Sequence, residues 1–121
     1  MGKHVLVVDD SSAVRQSVSY VLGQAGYSIT EAEDGSQALE KLEENQPDLI
    51  VTDVNMPNLD GIGLVRAIRE KAEFKFLPII MLTTESESSK MEEGKAAGAT
   101  GWIVKPFDSD KLLAVVKKLA G

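Results

Sequence analysis

The chain has no cysteine, which removes disulfides, thiolate nucleophiles and Cys-ligated zinc from its chemistry. That absence fits a reducing compartment. It has one histidine, His4, at the start of an apolar run and so expected on the surface, at the far end of a strand from the acidic residues considered below. It has no apolar run near the ~20 residues that a membrane helix needs; Ile79 to Leu82 is among the longest. Nothing resembles a signal peptide, because Met1 to Lys3 leads straight into a short apolar run ending at Asp9-Asp10. The cytoplasm is the expected location, with no membrane partner. Cations are also in deficit. Thirteen Lys and Arg against nineteen Asp and Glu leave a net charge of −6, which disfavours nucleic acid as a direct partner, since that needs phosphates neutralised.

What remains is an ordinary globular composition. With 43% hydrophobic and 26% charged residues, the chain can build a core and is not disordered. A length of 121 residues predicts one domain over 1–121 with no second module.

Short apolar runs alternate with segments of helical period. Val5 to Val8 reads as a strand buried on both faces. Ser11 or Ser12 caps a helix with Val14, Val18, Val21, Leu22 and Ala25 inward, stopped by Gly26. Ser28 to Ala32 is a more polar strand, expected at an edge. Asp34-Gly35 opens a helix with Ala38, Leu39 and Leu42 inward, ended by Pro47. Leu49 to Val51 runs into Asp53. Residues 55–61 are rich in turn formers, and a third helix buries Leu64, Val65 and Ile68. Pro78 to Leu82 is the fourth strand. Ser86 to Ala97 is a marginal helix with only Met91 and Ala97 as its apolar stripe and Gly94 in its interior, at a cost of about 1 kcal/mol. Trp102 to Val104 is the fifth strand, and Asp108 caps a last helix with Leu112, Val115, Val116 and Leu119 inward. Asp110 reads as a first-turn charge of that helix. Strict alternation predicts an α/β fold, a parallel sheet with helices on both faces.

In a parallel sheet the strand ends share one edge, and ligands bind there. This edge would carry Asp9 and Asp10, Asp53, Thr83 and Thr84, and Lys105. Any one of these could be a cap or a loop residue; three carboxylates, two hydroxyls and an ammonium together are harder to explain that way. Two carboxylates ~4 Å apart repel by roughly 4 kcal/mol at an effective dielectric near 20, so the cluster must protonate, pair or bind a cation. Lys105 alone cannot neutralise it. Hard oxygen ligands with no His or Cys beside them point to Mg²⁺, which favours a few carboxylates together with a phosphate oxygen.

Asp9-Asp10, Asp53-Val54-Asn55-Met56-Pro57, Thr83 and Lys105-Pro106-Phe107 resemble the receiver domains of two-component response regulators, of the stand-alone chemotaxis type, over the whole chain. The resemblance implies the flavodoxin-like strand order 2-1-3-4-5 with five helices, which brings Asp10 and Asp53 face to face. It implies Asp53 as the phosphoacceptor, Asp10, Asp53 and the Asn55 carbonyl as Mg²⁺ ligands, and Asp9 as the residue orienting metal-bound water. Lys105 would pair with phosphoryl oxygens, Thr83 would offer them a hydroxyl, and Trp102 would occupy the place of a switching aromatic. Thr84 is larger than the residue common beside the switch threonine and is expected to slow entry of donors or water; Phe107 is expected only to pack under the last helix. A cis Lys105-Pro106 bond is expected on the resemblance alone. The implied partners are a histidine kinase as donor and a downstream protein such as a flagellar motor switch component, with a phosphatase as a further candidate, acting on a monomer. The implied protein is a signalling domain with slow Mg²⁺-dependent autodephosphorylation, not an enzyme. A relay intermediate or a phosphate sink is the alternative within the family, and an inert receiver used only for binding is disfavoured by the intact site positions. A haloacid-dehalogenase-like phosphatase would need a second acid where Asn55 stands.

Overall fold

The computed structural model describes residues 3–56, 59–84 and 88–120. Met1, Gly2, Pro57, Asn58, Ser86 at the expected start of the fourth helix, and Gly121 lie outside the described residues, as do Glu85 and Glu87. Five strands, β1 (His4–Val8), β2 (Ser28–Ala32), β3 (Leu49–Asp53), β4 (Ile79–Thr83) and β5 (Gly101–Val104), alternate with α1 (Ser12–Gln24), α2 (Gly35–Asn45), α3 (Gly61–Arg69), α4 (Ser88–Ala97) and α5 (Ser109–Ala120). The sheet is parallel throughout, in the order β2-β1-β3-β4-β5. The polar strand β2 therefore lies at an edge, as its sequence predicts.

Period-two alternation sorts the core into two layers. Val5, Val7, Leu49, Val51, Ile80 and Leu82 pack with Val18 and Leu22 of α1 and with Leu112 and Val116 of α5. Leu6, Val8, Ile50, Ile79 and Met81 face the other way, onto Leu42 of α2 and onto Leu64, Val65 and Ile68 of α3. Each such side chain contributes about 1.5–3 kcal/mol when fully buried, so the continuously apolar central strands hold both layers of helices.

Side-chain caps start the helices close to that shared edge. Ser11 Oγ accepts from Val14 N at 3.3 Å, Asp34 Oδ1 from Gln37 N at 2.8 Å, and Asp60 Oδ1 from Gly63 N at 2.8 Å. Asp108 Oδ1 accepts from Asp110 N at 2.8 Å, so Asp108 is the cap of α5. Ala25, expected inward, is instead the exposed C-cap of α1. The helical period breaks there because the chain turns away through Gly26, whose φ is 99°. His4 is partly exposed at the start of β1, and its Nε2 lies 2.6 Å from Thr30 Oγ1 on the neighbouring strand.

Two features of the fold had no sequence signal. A single 3₁₀ turn at Ala72–Phe74 follows α3. Arg69, at the end of α3, ties that turn to the corner between α4 and β5. Its guanidinium donates to Gly98 O at 3.1 and 2.8 Å and to Phe74 O at 2.8 Å.

Helix α2 closes through Gln46, which has φ 46°, a left-handed conformation that glycine adopts freely and a side chain does not. Gln46→Gly should raise stability by about 0.5–1 kcal/mol, a shift of a few degrees in a thermal melt.

Candidate functional site

The third strand delivers Asp53 to the centre of the sheet edge, level with Leu82 of β4. Its carboxylate is buried, with Oδ1 2.9 Å from Lys105 Nζ. Asp9 follows β1 on the other side and is fully buried. Its Oδ1 accepts from Ser11 N at 2.8 Å, while Oδ2 has no hydrogen-bond partner among the described residues and faces Lys105 Nζ at 3.5 Å. Asp10 is exposed at the mouth. Carboxylate oxygens of Asp9, Asp10 and Asp53 all lie within 4.8 Å of one another. The sheet order thus brings the three expected acids together.

Burial dominates the electrostatics. It raises the Asp53 carboxyl to about 6, against the opposing hydrogen bond from Lys105, and the Asp9 charge adds to the rise. Burial also raises Asp9, opposed by the Ser11 amide and the Lys105 charge. For Lys105, burial favours the neutral amine, but the hydrogen bond and charge of Asp53, with Asp9 behind them, hold it above the ordinary lysine range. Among the described residues one ammonium, on Asp53 and facing Asp9, stands against three acids, which leaves the cluster short of positive charge.

Thr83 ends β4 with its side chain buried, and its Oγ1 has no hydrogen-bond partner among the described residues. A buried hydroxyl without a partner costs about 1–3 kcal/mol and marks a place where an acceptor oxygen would be welcome. Asn55 is exposed, and its side-chain Oδ1 lies 3.5 Å from Lys90 Nζ of α4. Trp102 is half-buried against the α2–α3 layer, with Lys95 Nζ 6.0 Å from its ring centroid. Phe107 packs on the opposite layer with α5, and the Lys105-Pro106 peptide bond is cis.

The donor set fits a hard divalent cation. Three carboxylates converge, one of them keeping a buried oxygen without a hydrogen-bond partner, and no nitrogen or sulfur ligand stands among them. Asp9, Asp10 and Asp53 could hold Mg²⁺.

Two further features escape sequence reasoning. Arg15 donates to Asp9 O at 2.8 Å and pairs with Glu31 at 2.9 Å, so it braces the turn that carries the acids. A groove of about 480 Å³, lined by Ala13, Val14, Ser17, Thr84, Pro106 and Phe107, opens beside Lys105. Neither shows in the sequence, because the partners are brought together from distant segments.

Comparison with known proteins agrees with this geometry. The family model described as response regulator receiver domain matches residues 5–117. The chain is 39% identical over 116 residues to the chemotaxis protein CheY of Pseudomonas aeruginosa, covering 95% of this chain and 94% of that protein. Chemotaxis response regulator CheY4 of Vibrio cholerae superposes with a TM-score of 0.92 at 47% identity, covering 98% of this chain and 99% of that one. The receiver domain of sensor histidine kinase PA1611 from Pseudomonas aeruginosa, with a magnesium ion coordinated in its active site cleft, superposes with a TM-score of 0.92 at 30% identity, covering 100% and 99%. No helix among the described residues is long and apolar enough to cross a membrane. Sequence match, strand order and acidic edge converge, and the chain belongs to the response regulator receiver domain family, among its CheY-like members.

Proposed function

We propose that this receiver takes a phosphoryl group from the phosphohistidine of a histidine kinase onto Asp53 and thereby switches its binding to a downstream protein in chemotaxis signalling. The observation that carries the reading is the buried Asp53 carboxylate, paired with Lys105 at 2.9 Å beside the Thr83 hydroxyl that has no hydrogen-bond partner among the described residues. Nucleophile, charge clamp and hydrogen-bond donor stand at three adjacent strand ends.

An Asp53 oxygen forms the new bond to phosphorus as the bond from phosphorus to the donor imidazole nitrogen breaks. The leaving imidazole takes up a proton from solvent. Lys105 follows the charge onto the phosphoryl oxygens as a point charge, and the Thr83 hydroxyl donates to one of them. Asp9, Asp10 and Asp53 would hold Mg²⁺, which would supply neutralising charge for the transfer. Phosphoryl transfer is mostly positioning and electrostatics, so this small set of groups is sufficient. The groove between α1 and the turn after β5 gives the donor its approach. Slow hydrolysis of the acyl phosphate returns the domain to rest, and Thr84 on the groove wall slows the attacking water.

Trp102 tests the switch directly, because it is the only tryptophan. Beryllofluoride with Mg²⁺, a phosphoryl mimic, should change its fluorescence and lower its accessibility to quencher. Thr83→Ala should still bind the mimic, since Asp53 and Lys105 remain, yet lose about half or more of that response. An indole that ignores the mimic in the wild-type chain would remove Trp102 from the signal. A full response in Thr83→Ala would route the signal around the hydroxyl.

A further inference from the structure

Met81 lies on β4 with its side chain toward the α2–α3 layer, 1% exposed. Two glycines make room for it. A Cβ on Gly61, the first residue of α3, would lie 2.9 Å from Met81 Cε and would collide with the Asp53 carbonyl oxygen. A Cβ on Gly94, inside α4, would lie 2.9 Å from Met81 Sδ and 3.4 Å from Trp102 Cζ3. One unbranched side chain thus spans from the backbone of Asp53 to the seat of the indole. At its near end the Asp53 carbonyl also accepts from Thr52 Oγ1 at 3.0 Å, and Gly61 N donates to Val54 O at 2.8 Å, so that end is firmly held.

Gly94 reads in the sequence as a helix cost. In the structure it is a close approach: alanine would suit the backbone of α4 better, but its Cβ would displace Met81 Sδ while resting in contact with the Trp102 ring. Close-packed interiors pass displacement on instead of absorbing it, and a methionine takes the shape of an irregular gap between two elements.

We propose that Met81 is a positioning residue, a strut between the Asp53 peptide at Gly61 and the Trp102 indole at Gly94. Through it, packing in α4 alters the geometry of the acceptor, and occupancy of the acceptor alters the seat of the indole. This rests on Asp53 being the acceptor.

Two readouts test it on the intact chain. Fluorine NMR with beryllofluoride and Mg²⁺ reports occupancy at Asp53, and acrylamide quenching reports Trp102. Gly94→Ala, which touches no group of the pocket, should weaken beryllofluoride binding roughly three- to tenfold. Adding Met81→Val, whose side chain ends short of the sulfur position, should recover most of that loss. Met81→Leu, a volume-conserving change that should keep the fold, should still bind the mimic but lose about half or more of the quenching response. Wild-type affinity in Gly94→Ala, a loss undiminished in the double variant, or a full quenching response in Met81→Leu would overturn the strut alone. A wild-type chain with no bound-fluoride signal would overturn the acceptor assignment, and the strut with it.

Discussion

Incubated with a small acyl phosphate and Mg²⁺, the chain should take up one phosphoryl group, and a hydride reagent that traps acyl phosphates should place it at residue 53. Asp53→Asn should take up none above background. The expected effect is this large because no neighbour can substitute. Asp9 is fully buried and its Oδ1 is committed to the Ser11 amide, while Asp10 is exposed at the mouth. Only Asp53 combines an oxygen on the Lys105 ammonium at 2.9 Å with a position between the other two strand ends. An amide at residue 53 has no anionic oxygen to attack with, so the loss should be complete rather than graded. Label recovered at Asp9, Asp10 or any hydroxyl residue would refute the assignment.

In chelator, Asp53→Asn should make the protein more stable at pH 7 by about 2 kcal/mol. Burial raises this carboxyl from an ordinary 3.8 to about 6, so the folded state holds the proton more tightly than the unfolded chain does. At pH 7 both states are ionised, and the folded one bears the cost of a buried charge; the shift corresponds to about 3 kcal/mol. Loss of a partner for Lys105 offsets part of that gain. Proton linkage fixes the sign: stability of the metal-free wild type should rise as pH falls through the window from about 6 toward 3.8, where the folded state binds the extra proton. The advantage of Asp53→Asn should shrink over the same window. Asp10→Asn should also stabilise the metal-free domain, by less because Asp10 is exposed, since its charge is one of those that raise Asp9. Added Mg²⁺ should raise the melting temperature of the wild type through preferential binding to the folded state. Either substitution should weaken Mg²⁺ binding tenfold or more, because each removes a charged ligand candidate. Equal melts for all three proteins in chelator would mean the cluster is not under electrostatic strain.

The fold was legible because its central strands are apolar on both faces. Val5 to Val8 and Ile79 to Leu82 cannot be surface structure, and the helical stripes between them leave a parallel sheet as the economical arrangement. The acidic edge was legible for the same reason, since Asp9, Asp53, Thr83 and Lys105 each stand at or just beyond the end of a strand. What each residue does came from resemblance, because spacing alone does not distinguish a nucleophile from a ligand. Contacts closed only by the tertiary structure were invisible. The hold of Arg15 on the Asp9 carbonyl, the reach of Arg69 to Gly98 and the glycine seats of Met81 join segments that no local period relates. Ala25 misled because its spacing continues the stripe of α1 one residue past the place where the helix ends.

The Arg69 clamp pins α4 at one end. The pin lies at the C-terminal end, where three hydrogen bonds from one guanidinium fasten Gly98 and Phe74. Nearer its other end, Lys90 Nζ lies 3.5 Å from Asn55 Oδ1. With its C-terminal end pinned, any displacement of α4 should be smallest near Ala97. Gly94, against which Trp102 packs, lies only a turn from that pin.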